Sequence, residues 1–208
     1  QVFAPEKTEC SKPVFSMLPA MTRGKLLLGI DIGGTDIKLA VRVDGRLALC
    51  KEFDWFPASF ATAEELIAPI LLLTRLLRAA GTLFAQGKAA QLDTAALSKT
   101  ATLEEMERGA AAMEQAAGTL RGFDAIGLCL PDVVIRNRIV GGETYKTRGM
   151  RENAALDYEA QFAKITDLCM LLQAYTVPGG VVMNTNDGPM AAFTAAVEQA
   201  AAGADVSK

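Results

Sequence analysis

This sequence predicts an α/β domain on a five-stranded mixed sheet with helices on both faces, and three observations lead there. Residues 26–53 fall into strand-length apolar or alternating segments joined by turn signals. Two amphipathic helical patterns fill a helical section at about 62–122. Beyond it, strand and helix signals alternate, which requires parallel strands joined by crossovers.

The first strand is expected at about 26–32. Its near-continuous apolar run fits a central strand covered on both faces. Asp31 interrupts that run at its end, and a carboxylate in such a place suggests a site at the strand tip. Gly33 and Gly34 follow, read as glycines that allow positive φ and close approach of backbone to a ligand. A second strand spans about 36–43, Asp44-Gly45 is a two-residue hairpin turn, and a third strand runs from Arg46 to about Phe53. A helix from Glu64 carries a broad apolar face and has Pro69 near its start. In the second helix Thr102 and Glu105 make a capping box. Its seam of Leu103, Met106, Ala110, Met113, Ala117 and Leu120 fits packing on the neighbour helix, with a second copy of the chain, and so a homo-oligomer, left open. Residues 82–101 join the two helices loosely.

Ala125–Leu130 is the fourth strand, closed by Pro131, and Val133–Val140 reads as a small hairpin over its tip. After a polar loop to Gly149, a third helix is expected at about 152–174. Pro178-Gly179-Gly180 ends it, Val181–Asn184 is the fifth strand, and an alanine-rich helix runs to about Gly203. Strands one, four and five are then parallel, with two and three completing a meander. Residues 1–24, with three prolines among charged and small residues, read as an arm or linker preceding the domain of 25–208.

Composition narrows the function. The net charge of −3 gives no reason to expect nucleic acid. No apolar run is read as long enough for a membrane span, and the N-terminal residues lack a secretion-signal layout. Cysteines 10, 50, 129 and 169 have no metal-ligand spacing and read as reduced packing residues, consistent with a cytoplasmic protein. The sequence contains no histidine, so acid–base chemistry falls to carboxylates, lysine or tyrosine.

The strand-turn-strand around Asp31 concentrates the chemistry. Thr35 adds a hydroxyl to the glycine pair, and the turn's N–H groups can face an anion. No Gly-Lys-Ser/Thr opens a helix here, so this is a phosphate-binding hairpin and not a Walker A loop. Gly29-Ile-Asp-Ile-Gly-Gly-Thr-Asp-Ile-Lys38 resembles the first phosphate motif of the superfamily of sugar kinases, heat-shock ATPases and actin. It most resembles the repressor–open reading frame–kinase (ROK) group of sugar kinases and sugar-responsive regulators. The element order is likewise that of one ribonuclease H-like half of the actin-type ATPase fold.

The resemblance implies ATP and Mg²⁺ as cofactors and a sugar as substrate. Asp31 would hold Mg²⁺ through water, since that ion keeps much of its hydration. Gly33, Gly34 and Thr35 would face the transferring phosphate, and Lys38 is either a phosphate ligand or a solvated strand lysine. Asn186-Asp187 resembles the start of the group's Asn-Asp-Ala-Asn motif. Asp187 would then be the catalytic base and Asn186 a sugar ligand, although both also suit a helix cap ahead of Pro189. Glu143 and Thr144 are weak stand-ins for the sugar-touching loop.

The sequence also departs from the group. Its strand-four motif Gly-x-Gly-Val-Pro-Gly reads Gly127-Leu-Cys129-Leu-Pro131-Asp132 here, and Pro189 replaces the second asparagine of Asn-Asp-Ala-Asn. No second phosphate turn or adenosine motif follows. The resemblance therefore implies the N-terminal half of an ATP-dependent carbohydrate kinase, inactive alone, with the second half supplied by the rest of the gene product or a partner chain. The alternative is a non-catalytic sugar- or nucleotide-sensing regulator or a degenerate scaffold.

Overall fold

The computed structural model describes residues 17–18, 20–141 and 145–202. Strands β1 (Leu26–Ile32), β2 (Asp36–Val43) and β3 (Arg46–Asp54) form the meander. The Asp44-Gly45 turn has positive φ at both residues, 51° and 74°, as a primed hairpin turn requires. Strand β4 (Phe123–Leu130) joins β1 in parallel, and a long last strand, Thr176–Asn186, joins β4 in parallel. The order is β3-β2-β1-β4 followed by that last strand, which puts β1 at the centre of a five-stranded mixed sheet.

Between β4 and the last strand lies the small hairpin of β5 (Val133–Ile135) and β6 (Arg138–Gly141), so the last strand is β7. Arg136 and Asn137 turn it at φ values of 50° and 71°. The Asn137 amide ties it to β7, donating to the Val182 carbonyl at 2.7 Å and accepting from the Asn184 N–H.

Helix α1 (Ala63–Ala85) begins with a capping box of Thr62 and Glu65, and α2 (Leu103–Ala117) with one of Thr102 and Glu105. Reciprocal capping of orphan N–H groups explains why both starts are sharp. On α2, Met106, Ala110, Met113 and Ala117 are buried against the rest of the chain, while Leu103 is 55% exposed. The seam thus packs within the domain. Arg75 of α1 clasps it, with Nε and Nη2 donating to both Glu114 oxygens at 2.8 and 2.6 Å and Nη1 to Glu107 at 2.5 Å. Gly81 lets α1 lie close on the sheet, because a Cβ there would come within 3.0 Å of Leu26 and Val41 side chains.

Four expectations need correction. The continuous helix at about 152–174 is three short ones: α3 (Arg148–Glu152), α4 (Tyr158–Thr166) and α5 (Leu168–Leu172). Local side-chain bonds divide it: Asn153 accepts from the Ala155 N–H, and Asp157 caps α4 through the Glu159 and Ala160 N–H groups. The fifth strand begins at Thr176, and takes Pro178 and Gly179 (φ 77°) into an irregularity at the sheet edge. One helix, α1, is long and apolar enough to cross a membrane by length and composition, and 72% of its apolar window is buried inside the fold.

The fourth correction concerns the faces. Leu26, Leu28, Ile30 and Ile32 of β1 and Ile37, Leu39, Val41 and Val43 of β2 are buried under α1. The alternate residues Gly29, Asp31, Lys38, Arg42, Val181 and Met183 are exposed. Helix α6 (Asp187–Ala201) follows β7 with most of its described side chains exposed, and its contacts with the sheet are to β4 and β7. Among the described residues, one face is covered by helices and the other is open.

Candidate functional site

The carboxyl ends of β1, β4 and β7 lie side by side, and this is where open parallel sheets bind ligands. Asp31 is level with Cys129 across the β1–β4 pair, and Cys129 with Thr185 across the next. All three belong to the open face. Burial, and then the charges of Asp31 and Asp187, push the Cys129 thiol up to about 11. The thiol therefore lies within electrostatic reach of both carboxylates. Asp31 and Asp187, far apart in sequence, are brought together at one end of the sheet. Asp31 is exposed and not the buried charge that a two-sided cover would have made it.

The glycine turn is shaped differently from expectation. Neither Gly33 nor Gly34 has positive φ. What excludes side chains is space: a Cβ on Gly33 would lie 2.9 Å from the Asp36 carbonyl oxygen and 3.2 Å from its carboxylate. One on Gly34 would lie 3.3 Å from the Tyr145 ring. The Gly33 N–H donates to the Asp36 carbonyl at 3.0 Å. Among the described residues the Gly34 and Thr35 amides make no hydrogen bond, so they are the donors open to an anion. Thr35 is exposed, and its hydroxyl donates to Asp36 Oδ2 at 3.4 Å.

Lys38 pairs with Asp36 at 2.5 Å, and that hydrogen bond holds the Asp36 carboxyl below its ordinary value while raising the lysine. Lys38 also sits opposite Asp31 in the β1–β2 register. Trp55 fixes the turn from behind. Its indole N–H donates to the Gly33 carbonyl at 3.0 Å and its backbone N–H to the Thr35 carbonyl at 3.1 Å.

Asn186 is committed at both ends of its amide. Nδ2 donates to the Asp132 carbonyl at 3.0 Å, and Oδ1 accepts from the Gly188 N–H at 2.9 Å. Asp187 opens α6, and its Oδ1 also accepts from that N–H, at 2.8 Å. The capping role and the strand-tip position therefore coexist. Glu143 and Thr144 lie outside the described residues.

A magnesium site would have Asp31 with Asp187 nearby. Among the described residues no group of three or more His, Cys, Asp or Glu gathers to hold a metal. Mg²⁺ suits such a sparse donor set, since it binds through one or two carboxylates and retains waters. Asp36, Trp55 and Tyr145 were not singled out in the sequence. Asp36 is adjacent to the motif and Trp55 is the only tryptophan, but nothing in their spacing links them to the turn.

No family model matches this chain, and no curated protein matches it. One solved structure that matches is a Bacteroides thetaiotaomicron protein described as having an actin-like ATPase fold and unknown function. It is 11% identical, the match covers 88% of this chain and 43% of that one, and the TM-score is 0.29. This chain thus spans less than half the length of that protein.

Proposed function

We propose that this chain is the phosphate-binding half of an actin-type, ATP-dependent phosphotransferase of ROK-like character, acting on a sugar hydroxyl. The observation that carries the reading is the meeting of Asp31, the Gly33–Thr35 turn and Asp187 at the carboxyl ends of three adjacent parallel strands. Phosphoryl transfer needs charge neutralisation, an oriented acceptor and a group to receive its proton. The Gly34 and Thr35 amides would hold phosphate oxygens, with Lys38 at the edge of the same row. Asp31 would hold the hydrated magnesium that offsets phosphate charge. Asp187 would take the acceptor's proton, and the second Nδ2–H of Asn186, at the end of β7, would orient a neighbouring hydroxyl. The proposal carries with it a second domain closing the cleft, a cytoplasmic setting, and neither nucleic acid nor membrane as partner.

The test uses the full-length gene product, a sugar panel and Mg·ATP. Asp187→Asn keeps an oxygen for the Gly188 N–H, so stability should hold while kcat falls about 10²- to 10⁴-fold. Asp31→Asn should weaken Mg²⁺-dependent nucleotide binding and turnover together. Near-normal turnover in a stable Asp187→Asn protein would end the base assignment.

A non-catalytic sensor is the second reading. It is favoured by the Asn186 amide, both ends of which are used within the chain, and by Cys129 and Asp132 in the strand-four loop. Nucleotide binding without turnover on any sugar would select it.

A further inference from the structure

On the covered side of the sheet, behind the glycine turn, a cavity of about 270 Å³ opens between the β2–β3 strands and the start of the α1–α2 pair. Ile37, Phe53 and Trp55 line it from the sheet side, with Leu73 of α1 and Met106 of α2 opposite. Phe60 closes one wall, its ring 6.0 Å from that of Trp55 and nearly perpendicular to it. Phe56 and Leu103, 66% and 55% exposed, stand at the mouth.

The polar groups around this cavity are engaged. Ser59 Oγ donates to the Phe56 carbonyl at 2.8 Å, and Thr102 Oγ1 serves the α2 capping box. Asp54 lies 3.5 Å from the Lys99 ammonium, and the Trp55 indole N–H is held by Gly33. A sugar or nucleotide entering would bury hydroxyls and charges without partners, which is costly. A flat aromatic ring system whose single N–H faces the solvent at the Phe56–Leu103 mouth gives up no such bond. Apolar cavities of about 150 Å³ stay dry and take up benzene, so this larger one has room for two fused rings.

We propose that the cavity is a binding site for a neutral, flat, bicyclic apolar molecule of the indole class, seated against Trp55 and Phe60. Edge and face contacts with those two rings would orient it. Trp55 bonds to both Gly33 and Thr35, so occupancy on this side reaches the glycine turn on the other. The site does not depend on the turn's binding nucleotide.

The probe is 5-fluoroindole, followed by its fluorine resonance and by the indole N–H cross-peak of Trp55, the chain's only tryptophan. A saturable shift of that peak is expected, with a Kd of about 0.1–1 mM for so small a ligand. Leu73→Phe, which fills the cavity, should abolish it. Should that variant fail to fold, Leu103→Glu at the exposed mouth should weaken binding about fivefold or more. The charged analogue 5-fluoroindole-2-carboxylate should bind more weakly than the neutral ring. No saturable shift, equal binding by the charged analogue, or unchanged affinity in the folded variants would overturn the proposal.

Discussion

The two faces of the central sheet are built from alternate residues of the same strands, yet they do opposite work. On the covered face, Leu26, Leu28, Ile30 and Ile32 pack with Ile37, Leu39 and Val41 under α1, and each is at most 2% exposed. On the open face the same strands present Gly29, Asp31, Lys38 and Arg42, and β4 and β7 add Gly127, Cys129 and Met183. The covered face supplies stability. The open face carries both carboxylates of the candidate site, together with small side chains that leave room for something to lie on it. A strand can serve both purposes because successive side chains point to opposite sides.

The largest expected effect tests that division directly. Leu28→Ala deletes a core side chain and should cost about 2–5 kcal/mol in urea unfolding. Leu27→Ala, one residue earlier and half-buried on the open face, should cost about 1 kcal/mol or less. Equal losses would mean that the open face is covered in solution.

Glycines sharpen the contrast at a smaller scale. Gly33→Ala should cost about 1–3 kcal/mol, because its Cβ would press on the Asp36 backbone. Gly127→Ala should stay within about 0.5 kcal/mol, since nothing lies within 4 Å of a Cβ built there. A large loss at Gly127 would reveal a close-packed partner on the open face. Thermal melts of the two variants decide this.

The smallest effect is chemical. Burial pushes both the Cys129 and Cys169 thiols up to about 11 from 9.0, and at Cys129 the Asp31 and Asp187 charges add to it. The folded state thus holds protons that the unfolded chain releases above about pH 9. This contribution to stability is fully present below pH 9 and lost as pH rises toward 11. In alkylation at pH 8 followed by mass spectrometry, exposed Cys50 should react before either buried thiol. Asp31→Asn should speed labelling of Cys129 and leave Cys169 unchanged. If both thiols respond alike, Asp31 does not face Cys129.

Much of the fold was legible because its signals are local. The Asp44-Gly45 turn, both capping boxes and the alternation in β2 need only near neighbours in sequence to specify their geometry. The glycine pair was legible as a special turn, but its reason was not. Positive φ was the natural expectation, whereas crowding by Asp36 and Tyr145 is what excludes side chains. The long third helix was misread because its apolar spacing continues through Asn153 and Asp157, whose side chains bond locally and break it.

By itself, then, the sequence determined the first four strands, the starts of the two capped helices and the special turn at Gly33-Gly34, since periodicity and turn chemistry act over a few residues. Only the tertiary structure decided which strand faces are covered, that Asp31 and Asp187 come to the same end of the sheet, and that Trp55 holds the glycine turn from behind. Those relations join residues distant along the chain. They come from strand register and helix packing, which no local pattern encodes.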